Sequence, residues 1–181
     1  PTALPPLPTY RSMPRFTFTR LQYTSGNWDV DQRMPANLLH SLAEYTTIDL
    51  DPRERVVPLA STGVFDARFA YLAGHRLVEF TRAERDNFAR FVRGGGFVLA
   101  DDCNHDVDGL FARSFEAQMA DLFGPDALRK LPNDHELYRA FFAFPDGPPT
   151  TGLELNGWGD DLVHDYLKAI VLDGRIAVLY S

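Results

Sequence analysis

Five consecutive residues, Asp101-Asp102-Cys103-Asn104-His105, can each ligate, titrate or attack, and they follow directly on the apolar run Phe97-Val98-Leu99-Ala100. Carboxylates and imidazoles gathered at one place suit a divalent cation, and they equally suit acid–base work, where two neighbouring acids split their pKa values. Two more imidazoles belong to the same argument. His75 follows Gly74 at the end of another apolar run, and His135 lies in Leu131-Pro132-Asn133-Asp134-His135. Asp101, Asp102, His75 and His135 are therefore the candidate ligand-binding residues and the candidate metal ligands. Trp28, in Ser25-Gly26-Asn27-Trp28, can stack a flat ligand at the mouth of such a site. Each has a structural alternative. An Asp after a strand caps the next helix or ties down a loop, a Gly-His at a strand end bonds a carboxylate, and a lone loop Trp plugs the edge of a core.

Cys103 is the one thiol, so no intrachain disulfide is available. A nucleophilic thiol on the tight turn after a strand needs small residues two places to either side. Asp101 and His105 stand there, and neighbouring carboxylates raise a thiol pKa. The residue types thus favour a cysteine without a chemical role, and no catalytic residue is assigned. Asn104-His105-Asp106-Val107-Asp108-Gly109 resembles the opening of a calcium loop, but Phe115 stands where the bidentate Glu is needed and Glu116 is one place late. A polar turn with Asp108 as a helix cap fits better. His40 lies on a helix surface, nothing selects His164 or Asp165, and Arg175 either neutralises a carboxylate or binds an anion.

These residues need a scaffold. Residues 15–23 alternate aromatic or Leu with polar residues and predict a first strand. Pro35 opens a helix to about Tyr45, with Leu38, Leu39 and Leu42 on one face. Short strands follow at 55–59 and 69–73, the latter ending in Gly74-His75. Thr81-Arg82-Ala83-Glu84 has the pattern of a capping box, and the helix it starts buries Phe88, Phe91 and Val92 before stopping at Gly94. The fourth strand is 97–100, and a third helix spans 109–123. After a short helical turn at 136–142 the chain ends in a hairpin, 166–172 and 175–180, around Asp173-Gly174. Strand–helix alternation then a hairpin predicts a three-layer α/β fold: a mainly parallel sheet, helices on both faces and an antiparallel extension. The flavodoxin-like order 2-1-3-4 would bring residues 23–28, Gly74-His75 and 101–105 together at the switch point, where ligands bind.

The chain has 181 residues, 18 basic and 25 acidic, for a net charge of −7. That size buries a sizeable core, and the charge argues against a nucleic-acid partner. No apolar run is long enough to enter a membrane. Residues 1–14 are a proline-rich tether and 15–181 a single domain. The start at Pro1 reads as a trimmed end, whether by a signal peptidase or in preparation.

Four segments carry a resemblance in order and spacing: Tyr71-Leu72-Ala73-Gly74-His75; Gly94-Gly95-Gly96-Phe97 through Asp101-Asp102; Leu131-Pro132-Asn133-Asp134-His135-Glu136-Leu137-Tyr138; and Asp173-Gly174-Arg175 through Tyr180-Ser181. Over residues 15–181 the chain resembles the bacterial family called domain of unknown function 4159, a branch of the class I glutamine amidotransferase-like fold related to ThuA-like proteins. The resemblance implies an exported or membrane-tethered, periplasmic protein and brings no established activity. Relatives run on past the residues matching Tyr180-Ser181, so a further terminal segment is expected. Three functions stay open. The first is an extracytoplasmic binding or assembly domain that takes a small molecule or ion, with a divalent metal as cofactor and other envelope proteins as partners. The second is a hydrolase using a metal or Cys103, and the third is a non-catalytic scaffold.

Overall fold

The computed structural model describes residues 15–103, 109–149 and 166–181. The tether and the calcium-like segment 104–108 lie outside the described residues, as do His164 and Asp165. Seven strands join one sheet in the order β2-β1-β3-β4-β7-β6-β5. They are β1 (Thr19–Gln22), β2 (Arg55–Pro58), β3 (Phe69–Gly74), β4 (Phe97–Asp102), β5 (Arg129–Lys130), β6 (Lys168–Leu172) and β7 (Arg175–Tyr180). The five from β2 to β7 in that order are parallel, and β6 and β5 are added antiparallel. The expected order 2-1-3-4 is the one found, and the fold is α/β with a C-terminal hairpin.

Period-two alternation divides the core. Leu21, Ala70, Leu72, Val98 and Ala100 face one side, where they meet Phe88, Phe91 and Val92 of α2 (Arg82–Arg93) and Phe111, Phe115 and Met119 of α3 (Leu110–Phe123). Phe18, Tyr71 and Ala73 face the other side, under Leu39 and Leu38 of α1 (Met34–Tyr45). Tyr138 and Leu131 cover Ala169 on the hairpin, beside a 3₁₀ turn at Glu136–Arg139.

The capping box forms as its spacing predicts: Thr81 Oγ1 accepts from the Glu84 amide, and Glu84 returns to the Thr81 amide. Asp173 (φ 49°) and Gly174 (φ 77°) both take the left-handed region that a two-residue I′ hairpin requires. Several bounds shift by a few residues, among them the helical turn, which ends at Arg139 and not 142, and three changes alter the sheet. The first strand begins at Thr19, not Arg15, because Phe16 makes only an isolated bridge to Leu50. β5 is added, since Arg129 and Lys130 gain strand partners in Ala169 and Lys168. β4 runs two residues further than expected, through Asp102.

Candidate functional site

That extension decides how the two carboxylates are used. Neighbours on a strand point to opposite faces. Asp101 faces α1 and accepts a 2.6 Å hydrogen bond from the Tyr71 hydroxyl. Asp102 faces the α2/α3 side, is 4% exposed, and accepts from the buried Tyr180 hydroxyl. The Asp102 amide donates to the Ser181 carbonyl at 3.0 Å, which locks β7 against the end of β4. Asp101 and Asp102 therefore do not form a pair.

His75 sits just beyond β3, at the same edge. Its Nδ1 is 3.3 Å from Cys103 Sγ, and the Asn27 amide nitrogen lies 3.0 and 3.1 Å from its two ring nitrogens. The His75 amide donates back to Asn27 Oδ1 at 3.2 Å, and the Cys103 amide donates to the Gly74 carbonyl at 3.1 Å. Three segments, the loop after β1 and the ends of β3 and β4, thus meet at one imidazole.

The loop is held from beneath. Arg20 of β1 is 1% exposed, and its Nη1 donates to the Val30 carbonyl at 2.6 Å and, at 3.5 Å, to that of Trp28. Its Nε bonds Glu54 at 2.8 Å, and its guanidinium lies 5.5 Å from the Tyr71 ring centre. Trp28 packs against the main core, the structural alternative weighed above.

Burial first, then the charges of Asp31, Asp101 and Asp102, pushes the Cys103 thiol up from an ordinary 9.0 to about 12. The thiol keeps its proton at neutral pH, with Sγ 3.3 Å from His75 Nδ1. Alkylation by iodoacetamide at pH 7.5 is expected to be at least ~100-fold slower than for a free thiol, because only the thiolate reacts. The folded state also holds this proton where the unfolded chain, titrating at 9.0, releases it. That stabilisation is complete below about pH 9 and is lost as pH rises from there toward 12. Burial shifts Tyr23, Tyr71 and Tyr180 upward as well, so they act in the same direction from a higher pH. Urea unfolding at pH 8 and 9.8 should show a loss for the wild type and a smaller one for Cys103→Ala; equal losses would refute the assignment.

His135 is not part of this edge. Its Nδ1 accepts from the Leu137 amide at 3.1 Å, capping the 3₁₀ turn, and it lines a hollow with Gly174 and Arg175 at the start of β7. Because β7 runs parallel to β4, that is the opposite edge of the sheet from Asp102. The expected metal set of Asp101, Asp102, His75 and His135 is therefore not assembled. Among the described residues no three His, Cys, Asp or Glu side chains are grouped to hold a metal. Among the described residues Arg175 pairs with no carboxylate. It donates to the Gly96 carbonyl at 3.0 Å and the Val92 carbonyl at 2.5 Å, closing the C-terminal end of α2. His40 is exposed beside Glu44.

Sequence reasoning did not select Asn27, Asp31, Tyr71 or Arg20. Asp31 takes φ of 49° just ahead of α1, a conformation seen only in the structure. Tyr71 and Arg20 read as ordinary strand residues, and only the register sets Arg20 beside Tyr71.

No helix among the described residues is long and apolar enough to cross a membrane. A comparison with curated proteins gives no match. A family model described as domain of unknown function (DUF4159) matches residues 17–181, nearly the whole chain, with the Gly74-His75 and Asp101-Asp102 motifs inside it. The chain belongs to the DUF4159 family.

Proposed function

We propose that this is an extracytoplasmic ligand-binding or assembly domain on a flavodoxin-like, class I amidotransferase-like scaffold, with its small-molecule site at the C-terminal edge of β1, β3 and β4. One observation carries the reading: Asn27, His75 and Cys103, from three segments, meet within hydrogen-bond distance beyond the ends of parallel strands. Open α/β sheets bind ligands in that crevice. Asp101 beside Tyr71 adds a polar anchor on the α1 side. The exported location and the envelope partners rest on the motif resemblance.

A fragment screen by two-dimensional amide NMR tests the site. Hits are expected to move the amides of Asn27, His75 and Asp101 first, and to lose affinity in Asn27→Ala and His75→Ala. Hits that leave these amides still and perturb other surfaces would sink the reading. Location is tested by fusing the full-length protein to a reporter active only outside the cytoplasm.

The 3.3 Å contact between His75 and Cys103 favours a second reading, a thiol hydrolase with Asn27 orienting the base. His75 would take the thiol proton as Sγ attacks an ester or amide carbonyl, then pass it to the leaving group; water would release the acid from the thioester. The raised thiol pKa weighs against it. A stoichiometric burst from p-nitrophenyl acetate, absent in Cys103→Ser, would establish it over simple binding.

A further inference from the structure

The opposite edge of the sheet has a different chemistry. β1, β2 and β3 are parallel, so their first residues gather there, and Thr19 is in register with both Arg55 and Ala70. Arg68 immediately precedes β3. Together with Arg15, Thr17 and Asp66 these residues line a hollow of about 190 Å³. Its polar lining consists of donors except for one carboxylate.

Two groups in it are left over. Thr19 is 0% exposed, and its hydroxyl has no hydrogen-bond partner among the described residues. Buried polar groups without partners are rare in folded proteins, and an ion or water is a common explanation. Arg15 is paired with Asp49 at 3.1 Å and Arg55 with Asp66 at 3.4 Å. The Arg68 guanidinium has no ion pair or hydrogen bond among the described residues. Local charge therefore exceeds local acid by one arginine, in a chain whose net charge is −7. An anion drawn here is held by local donors, not by the field of the whole molecule.

Arg68 also lines a second, adjoining hollow of about 570 Å³, shared with Phe65, Phe91, Arg90 and the Gly94–Gly96 turn. The Arg90 guanidinium lies 4.4 Å from the Phe65 ring centre. This wall offers flat apolar and cationic surface, not further hydroxyls.

We propose that this N-terminal edge is an oxyanion site, holding a phosphate or sulfate group between Thr19, Arg55 and Arg68, with the organic part of a phosphate ester against Phe65 and Arg90. Guanidinium forks suit tetrahedral oxyanions, and the Thr19 hydroxyl would gain the acceptor it lacks. The Arg15 and Arg55 side chains are long and exposed at their ends, so a ligand reaches Thr19 by displacing one of them. Asp66 competes with the ligand for Arg55.

The test is calorimetric and thermal titration of the full chain with inorganic phosphate and with phenyl phosphate, against chloride of matched ionic strength. Phosphate is expected to raise the melting temperature in a saturable way. Arg68→Gln should weaken phosphate about tenfold or more, the value of one charged hydrogen bond. Thr19→Val should weaken it without lowering the ligand-free melting temperature, since it removes an unpartnered hydroxyl at constant volume. Asp66→Asn should tighten binding. Phenyl phosphate should bind more tightly than phosphate, with the gain lost in Arg90→Ala; equal binding of the two would overturn the role of the second hollow. No shift beyond chloride, or a shift identical in wild type, Arg68→Gln and Thr19→Val, would mean an adventitious ion only and overturn the site.

Discussion

Glu84→Ala is expected to destabilise the protein by about 4 kcal/mol, the largest effect of any single polar substitution proposed for it. The side chain is 1% exposed and accepts four hydrogen bonds. Two come from the Thr81 amide and hydroxyl at 2.7 and 2.9 Å, and two from the Thr24 amide and hydroxyl at 2.7 and 2.9 Å. One carboxylate thus caps α2 and pins the loop that leaves β1. Truncation strands the Thr81 and Thr24 amides, which the buried carboxylate alone reaches from within, and each donor left unpaired costs about 1–3 kcal/mol. Loss of an ordinary helix cap would account for only about 1 kcal/mol. Urea unfolding of wild type, Glu84→Ala and Glu84→Gln separates the cases. Gln keeps one carbonyl acceptor, so it should fall between the other two. A loss near 1 kcal/mol for Glu84→Ala would mean that the Thr24 bonds contribute nothing. The same loop carries Asn27, so the exchange of the Asn27 and His75 amides with solvent should also accelerate in the Ala variant.

Gly74→Ala is expected to cost about 3 kcal/mol, although it adds a single methyl group. Gly74 ends β3 on the α2/α3 side. A Cβ there would overlap the Tyr23 hydroxyl and approach the Phe111 ring to 3.1 Å. Neither neighbour has room to give way. Tyr23 is 1% exposed and donates to the Ala73 carbonyl at 3.0 Å, and Phe111 stacks on Phe115. The strain has a signature that distinguishes it from a general loss of strand propensity. Removing the offending oxygen with Tyr23→Phe should relieve part of it, so the double variant should be more stable than the sum of the single changes predicts by about 1 kcal/mol or more. Strict additivity would show that the Tyr23 contact is not the cause. The Gly74 carbonyl accepts from the Cys103 amide, so the same substitution should also disturb the His75–Cys103 contact.

Features set by neighbours in the chain were legible. The capping box needs only a Thr and a Glu three residues apart, and the final hairpin needs only Asp-Gly between apolar runs. The order 2-1-3-4 followed from strand–helix alternation and the flavodoxin-like arrangement that it suggests. Features set by distant pairing were not legible. β5 is two exposed residues that become a strand through Ala169 and Lys168 alone. His135 shares a motif with the resemblance, yet the edge on which its loop lies depends on how β7 is inserted beside β4. The split between Asp101 and Asp102 was within reach. Once β4 is allowed to run through both, period two sends them apart. Ending the strand at Ala100 concealed that. Residues 23–28 were expected beside Gly74-His75, but within them Trp28 carried the recognisable ligand chemistry, while Asn27 matters only through its bonds to His75.

The central position of β7 bears on how the protein is made. β4 is flanked by β3, just before it, and by β7, whose Val178 pairs with Val98. On a ribosome releasing the chain N-terminus first, β1, β2, β3 and β4 emerge together with α1 and α2, while the far side of β4 waits for residues 175–180. Through that interval Val98 and Ala100, both fully buried in the finished protein, lie along an unpaired strand edge. Such edges invite pairing with another chain. Synthesis should therefore pass through a stage that depends on chaperone capture, and a ribosome stalled before residue 175 should hold a nascent chain that is markedly more prone to aggregate than one stalled after residues 175–180 have emerged.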